Sequence, residues 1–448
     1  LLARARGATL VLIADTLEAA IHNAAEAQQL EPPLYAELTL AALGAWRTSV
    51  PEPQAELALA GLLEAMACSA VPHVPAQTVR LALGPALEVL AHPDLALSAA
   101  ALIRTLVDAA PPAALAPDVL FPAAVEYVLG ADDAEAVQHI LHCLTVLVQK
   151  DAPGVLAHGD GMHALLRVVE RVLAPGADAA MCAMPLGTLL VTLFIQAGAH
   201  LSPIMPTLVH VLATRAAASD VPACTAALLY PLAFLFAEHT DAVLHVLADA
   251  PDTLARVAAR WAAELAHVHG TFVLNVHILG ATHLLDCWPA ALDTPVDGDP
   301  LPAPAGMIIT RSRAANAQFT RIPAGAKMLK ELLEVAAAAA PTTAEATASA
   351  DVAATADEED YADEWCDEPD LGDLGDLGDL GDLDDLDDVD DVDAVPGRPE
   401  IAHLDRRAYL GAFFRAHATM PPAVAAARTL TDTQRHTFAA LLSGAGAQ

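Results

Sequence analysis

Gly161-Met-His-Ala-Leu-Leu-Arg-Val-Val-Glu-Arg-Val-Leu173 decides the fold class of this chain. Its apolar residues Leu165, Val168, Val169 and Val172 recur at spacings of three and four. That spacing lines one face of an α-helix, whereas a half-buried strand needs strict alternation. Pro175-Gly176 follow at once and stop the helix.

The same design repeats on both sides of this stretch. Between about residues 7 and 290, apolar-periodic segments alternate with short breaks rich in Pro, Gly or Asp. The predicted helices are 9–27, 34–46, 54–67, 77–90, 95–108, 115–129, 133–147, 161–173, 179–197, 203–213, 221–237, 240–247, 252–266 and 271–285. Pro117 and Pro122 leave the start of 115–129 open, and acids at Asp132-Asp133 suit a helix N-terminus. No window in this region alternates long enough for a sheet. Short connections make consecutive helices antiparallel neighbours, and pairs recur at roughly 40 residues, the period of HEAT or armadillo repeats. The expected fold is all-α: a HEAT-repeat solenoid in which each pair buries its apolar face only against its neighbours. A large irregular helical domain is the alternative.

Composition agrees with helix. The chain is 55% hydrophobic but only 4% aromatic and is dominated by Ala and Leu, which favour helix over strand. The most apolar windows, 185–199 and 222–237, contain Thr188, Thr192 and Gln196 in the first and Thr225 and Pro231 in the second. Neither offers the ~20 clean apolar residues of a membrane span, so no membrane insertion is expected. Cys68, Cys143, Cys182, Cys224, Cys287 and Cys366 are scattered without Cys-x-x-Cys spacing, as reduced thiols of a cytosolic or nuclear protein would be. The chain begins Leu1-Leu2-Ala3-Arg4 without an initiator Met and reads as part of a longer protein.

The net charge is −35, and twenty-one of the acids fall between Asp351 and Asp393. The remainder still carries thirty-six acidic against twenty-two basic residues. This balance excludes a phosphate-backbone partner, which needs Lys and Arg, and favours basic partners drawn by long-range steering. The acidic stretch contains a three-residue beat, Leu371-Gly-Asp, Leu374-Gly-Asp, Leu377-Gly-Asp, Leu380-Gly-Asp, before Leu-Asp-Asp and Val-Asp-Asp. Gly372, Gly375, Gly378 and Gly381 oppose helix, and in an extended threefold conformation the Leu line one edge and the Asp another. A calcium reading fails because the bidentate Glu and the twelve-residue loop grammar are missing. A solvated spacer and a polyanion for a basic protein stay open. On the second reading the binding residues are Asp357, Glu358, Glu359, Asp360, Asp363, Glu364, Asp367, Glu368, Asp370, Asp384, Asp385, Asp387, Asp388, Asp390 and Asp391, with Trp365 as an aromatic anchor. A basic segment precedes them, carrying Arg311, Arg313, Arg321, Lys327 and Lys330, and is a candidate intramolecular partner for the polyanion.

The organisation expected is a helical array over 1–290, a basic segment and late helix over 291–338, a disordered acidic loop over 339–400 and terminal helices over 401–448. In the terminal part His403–Ala418 is amphipathic, and Thr431-Asp-Thr-Gln434 fits a capping box. His267, His269, His277 and His283 lack the spacing and partners of a zinc site, and His158-Gly-Asp-Gly-Met-His163 reads as an interhelical turn. No motif places a nucleophile, a base and oxyanion donors together, so neither an enzyme nor a cofactor or metal is expected.

Several segments occur in a telling order. Thr310-Arg-Ser-Arg-Ala314 comes first, then Thr320-Arg-Ile-Pro323 and Ala326-Lys-Met-Leu-Lys-Glu-Leu-Leu333. The acidic run with its internal Trp365 follows, then Asp405-Arg-Arg-Ala-Tyr-Leu410 with Phe413-Phe414, and finally Leu430-Thr-Asp-Thr-Gln-Arg435. This order resembles the C-terminal half of the importin-9-like karyopherin-β receptors. The matches cover roughly 306–338 and 358–443, while 1–290 is similar only as generic HEAT sequence. The resemblance implies a right-handed HEAT superhelix that chaperones basic cargo, such as the histone 2A–2B dimer or ribosomal proteins, into the nucleus. It implies shuttling between cytoplasm and nucleus past the FG-nucleoporins of the pore, and regulation by RanGTP through N-terminal repeats that lie outside this chain. The Leu-Gly-Asp beat departs from the denser acids of that family. A HEAT scaffold or histone-chaperone-like protein without transport is the alternative.

Overall fold

A computed structural model of the chain describes residues 2, 4–27, 32–49, 52–69, 71, 73–174, 179–300, 319–339, 397–419, 424 and 427–443. It is mostly helical. In order, the long helices are α1 (Gly7–Ala27), α2 (Pro32–Ser49), α3 (Pro53–Ala67), α4 (Val74–Leu90), α5 (Ala96–Ala109), α6 (Pro117–Gly130) and α7 (Ala134–Ala157). They continue with α8 (Gly161–Leu173), α9 (Ala179–Leu201), α10 (Met205–Ala218), α11 (Pro222–Leu247), α12 (Pro251–Glu264) and α13 (Thr271–Cys287). Strands β1 (Pro295–Pro300) and β2 (Phe319–Pro323) come next, then α14 (Ala324–Ala338), the single turn α15 (Pro399–Ala402), α16 (Arg406–His417) and α17 (Asp432–Ser443). The acidic stretch 351–393 and the segment 306–313 lie outside the described residues.

The helices pack in two rows. In the first row α1, α3, α5, α7, α9, α11 and α13 each lie against the next. In the second, α2 packs on α4, α6 on α8, α10 on α12 and α12 on α14. Pairs such as α4 and α5, or α10 and α11, join the rows. The second-row helices begin at residues 32, 74, 117, 161, 205 and 251, in steps of 42, 43, 44, 44 and 46. Proline in the first turn sets several of these starts (α4, α6, α10 and α12), where the missing N–H is harmless and the fixed φ suits a helix. Asp133 opens α7 by accepting the Glu135 and Ala136 N–H groups, as the acids there predict.

First-row helices are apolar almost all round because both neighbours and the second row cover them. In α11, Leu228, Leu229, Leu232, Ala233, Leu235 and Phe236 are all buried. This explains the high hydropathy. Ala134–Ala157, Pro185–Ala218 and Pro222–Leu247 are long and apolar enough to cross a membrane. About half of each apolar window is buried inside the structure (56%, 44% and 56%). The windows 185–199 and 222–237 belong to longer helices than their Thr and Pro residues suggest. α7, α9 and α11 each bend at one residue (Asp151, Ala197 and His239) and then continue. The break expected near 238–239 is therefore a bend within one helix.

Neighbouring turns of the array are tied by long cationic side chains. Lys150 Nζ donates to the carbonyls of Val107, Asp108 and Ala110, each at 2.8 Å, and so closes the C-terminal end of α5. Arg215 in α10 does the same for Leu173 at the end of α8. Arg260 reaches Asp220 at 3.0 Å and Arg171 reaches Asp132 at 3.8 Å.

Two expectations need correction. The Pro/Asp-rich segment after residue 290 contains an antiparallel pairing of β1 and β2, with Val296 opposite Ile322 and Asp297 opposite Arg321. Val296 and Ile322 are both buried, and β1 packs on α12 and α14. Tertiary burial overrides the weak strand signal, and proline is tolerated because each strand of a two-stranded sheet is an edge. The folded C-terminal part also begins before residue 401: the described chain resumes at Gly397, and α15 packs on α13. Beyond it α16 packs against α14 and α17, so residues 340–396 connect two helices of one packed unit. The capping box at Thr431 forms as predicted, with Gln434 N–H donating to Thr431 Oγ1 at 3.2 Å and Thr431 N–H to Gln434 Oε1 at 3.0 Å.

Candidate binding surface

Near the ends of the first-row helices one position repeats. Glu64, Asp108, Asp151, Gln196, Asp241 and Asp286 follow at steps of 44, 43, 45, 45 and 45. Five of the six are acidic. A carboxylate near a helix C-terminus, as at Glu64, Asp108 and Asp286, opposes the helix dipole, whereas Asp151 and Asp241 follow the bends in α7 and α11 and suit the start of the next helical segment.

At each end of the set, acids from neighbouring helices act on a common group. Burial first, and then Glu18 on α1 and Asp108 on α5, push the Glu64 carboxyl above its usual range. The Cys68 thiol is raised by burial, then by Glu64. At the other end Asp241 and Asp286 both raise Cys287, after burial. Some members have local partners. His142 lies 2.7 Å and Arg104 3.7 Å from Asp108, His417 lies 2.8 Å from Asp286, and Asp151 accepts the Gly154 N–H at 3.0 Å. Among the described residues Glu18, Glu64 and Asp241 have no cationic side chain within ion-pair distance.

The chain returns from residues 340–396 onto this same row. A Cβ added to Gly397 would lie 3.2 Å from Ile195 and 3.8 Å from the Gln196 side chain. The φ of +108° there also requires glycine. Arg398 pairs with Glu238 of α11 at 2.8 Å. The carbonyl of Ile401 then accepts from the buried Asn275 of α13 at 2.7 Å, and Arg406 donates to Asn275 Oδ1 at 2.7 Å. Tyr409 meets Thr282 at 2.8 Å. A line of polar contacts along α13 thus holds α15 and α16 in place.

The residues singled out from sequence divide in three ways. The acids from Asp357 to Asp391, Trp365, Arg311 and Arg313 lie outside the described residues. Arg321 and Lys330 are engaged within their own unit: Arg321 pairs with Asp297 at 2.9 Å, and the buried Lys330 pairs with Asp299 at 2.5 Å. Lys327 is half-buried and faces Glu331, whose carboxyl is raised by burial. Of the histidines, His277 is fully buried. It accepts from Trp261 Nε1 at 2.9 Å and is pushed by burial down to about 3, as a neutral core group. His158 lies edge-on to Phe121 and 3.8 Å from Asp118. Among the described residues no three His, Cys, Asp or Glu side chains come together as a metal site.

Sequence reading missed the acidic row, although its signal is present as single acids about one repeat apart. The chain matches no protein-family model and no curated protein.

Proposed function

We propose that this chain is a HEAT-type α-solenoid that binds and shields strongly basic proteins. The finer reading is the C-terminal part of an importin-9-like transport receptor for cargo such as the histone 2A–2B dimer. The observation that carries the binding reading is the convergence of two acidic sets. The row from Glu64 to Asp286 lies on the first-row helices, and Gly397 and Arg398, a few residues past the acidic stretch in sequence, sit beside Gln196 of that row and Glu238 of α11. A basic partner is then faced by fixed carboxylates on one side and by a tethered polyanion on the other, which favours fast, salt-sensitive capture. The step of 42 to 46 residues between second-row helices supports the repeat reading.

In this reading Arg321 and Lys330 serve the hairpin unit, since Asp297 and Asp299 already match their charges. Regulation by RanGTP, passage past FG-nucleoporins and shuttling between cytoplasm and nucleus belong to the same proposal.

The test is capture of purified histone 2A–2B dimer by the full chain and by a chain lacking 351–393, over a salt series. Binding that falls steeply with salt, and at least tenfold with the deletion, is expected. Equal binding by both forms with little salt dependence sinks the polyanion reading. Histone capture that RanGTP does not release leaves a histone-binding scaffold in place of a transport receptor.

A further inference from the structure

In the second row a cleft of about 620 Å³ opens between α4 and α6. Leu87, Leu90 and Ala91 form one wall, and Ala123, Tyr127 and Gly130 form the other. Small side chains keep it open: a Cβ built on Gly130 would meet no atom within 4 Å. Here α4 packs on the turn Pro112–Ala114 that precedes α6.

The rim has one sign of charge. Glu126, Asp132 and Asp133 line it, and no Lys or Arg does. Arg171 approaches Asp132 only at 3.8 Å, and both side chains are well exposed. The Asp133 carboxylate accepts the Glu135 and Ala136 N–H groups at the start of α7. An apolar floor with an anionic rim selects against acidic segments by repulsion and in favour of cationic ones.

We propose that this cleft docks a peptide segment that inserts one large apolar side chain and flanks it with lysine or arginine. The site is distinct from the acidic row of the first-row helices. It does not depend on the acidic stretch or on the histone reading.

The probe is a fluorescein-labelled peptide, Ser-Lys-Lys-Gly-Trp-Gly-Lys-Lys-Ser, followed by anisotropy with the full chain. Two control peptides replace its Trp by Gly or its four Lys by Glu. The Lys–Trp peptide is expected to bind at least tenfold more tightly than either control. Ala123→Trp and Gly130→Phe fill the cleft and are expected to weaken binding at least tenfold. Gly130→Phe keeps the test valid should Ala123→Trp disturb α6, because position 130 has open space for a side chain. Glu126→Lys is expected to weaken binding and flatten its salt dependence. Undiminished binding to the Gly130→Phe chain, with its melting temperature unchanged, refutes the proposal. So does equal affinity for the Trp-less peptide, which points to charge alone. The double variant Glu64→Gln/Asp108→Asn separates the two sites: it is expected to weaken histone capture and leave the peptide unaffected, and loss of the peptide instead overturns the cleft.

Discussion

Asn275→Ala is expected to loosen the C-terminal unit while leaving the rest of the helical array intact. Asn275 is fully buried on α13 and makes two strong bonds across the seam. Its Nδ2 donates to the Ile401 carbonyl and its Oδ1 accepts from Arg406 Nε, both at 2.7 Å. Burial already lowers the Arg406 pKa, so this guanidinium depends on its few partners. Thr271 O, at 3.2 Å, is the contact it retains. Losing a charge-assisted hydrogen bond costs about 1.5–3 kcal/mol, and losing one of the two bonds to the Ile401 carbonyl, which still accepts from the Leu404 N–H at 3.3 Å, costs about 0.5–1.5 kcal/mol. The lower half of each range sums to ~2.6 kcal/mol, or about a hundredfold in the opening equilibrium. Hydrogen exchange reads this directly. Amides of Arg406–His417 are expected to exchange about a hundredfold faster in the variant, and those of α5 to α9 at the parent rate. Protection of α16 within threefold of the parent, or a loss spread evenly over α5 to α9, refutes the idea that Asn275 clasps a separately docked unit. The proposed function gives this a second readout, because Gly397 and Arg398, seated on α9 and α11, lead into α15. Histone capture is expected to weaken in the same variant.

Four further outcomes are expected. His277 is neutral in the folded state down to about pH 3, whereas its unfolded-state pKa is 6.5. Below pH 6.5 the unfolded chain takes up the proton, so stability falls as pH falls; at pH 5 this amounts to about 2 kcal/mol, and urea melts of His277→Phe are expected to lack that slope. Glu64 has the opposite sign: its folded pKa is raised, so the parent gains stability as pH drops through it, and Glu64→Gln is expected to be more stable at pH 7 by about a few tenths of a kcal/mol after solvent screening. A Cβ at Gly280 would run into the carbonyl of Ala233, so Gly280→Ala is expected to force α13 from α11 and cost about 1–3 kcal/mol in thermal melts. Thr431→Ala removes half of the reciprocal cap and is expected to cost about 1 kcal/mol, seen as fraying of α17 in hydrogen exchange.

Much of the helical series was legible from apolar spacing and proline. Gly161–Leu173 appears with the bounds its pattern predicts, and the α17 cap with the partners its four residues predict. Such features depend on residues at most four apart, so local chemistry is sufficient to define them. The hairpin was not legible, because Val296 and Ile322 pair across 26 positions and are strand-forming only when α12 and α14 cover them. The bends at Asp151, Ala197 and His239 fall at ends or gaps of the sequence reading, since a local break in the apolar pattern looks alike whether a helix stops or turns.

The candidate surface divides the same way. Composition alone marks the acidic stretch, because a run of twenty-one acids without Lys or Arg stands out from the sequence on either side. Sequence alone therefore pointed to a helical chain with a repeat of roughly 40 residues and an internal polyanion. Only the tertiary structure decided that acids one repeat apart stand in a row, and that Lys330 and Arg321 are occupied by Asp299 and Asp297. It also decided that Gly397 and Arg398, which follow the polyanion in the chain, sit beside Gln196 and Glu238. The reason is distance along the chain: charge and periodicity are local sums over neighbouring residues, whereas these contacts exist only once separate turns of the array are stacked.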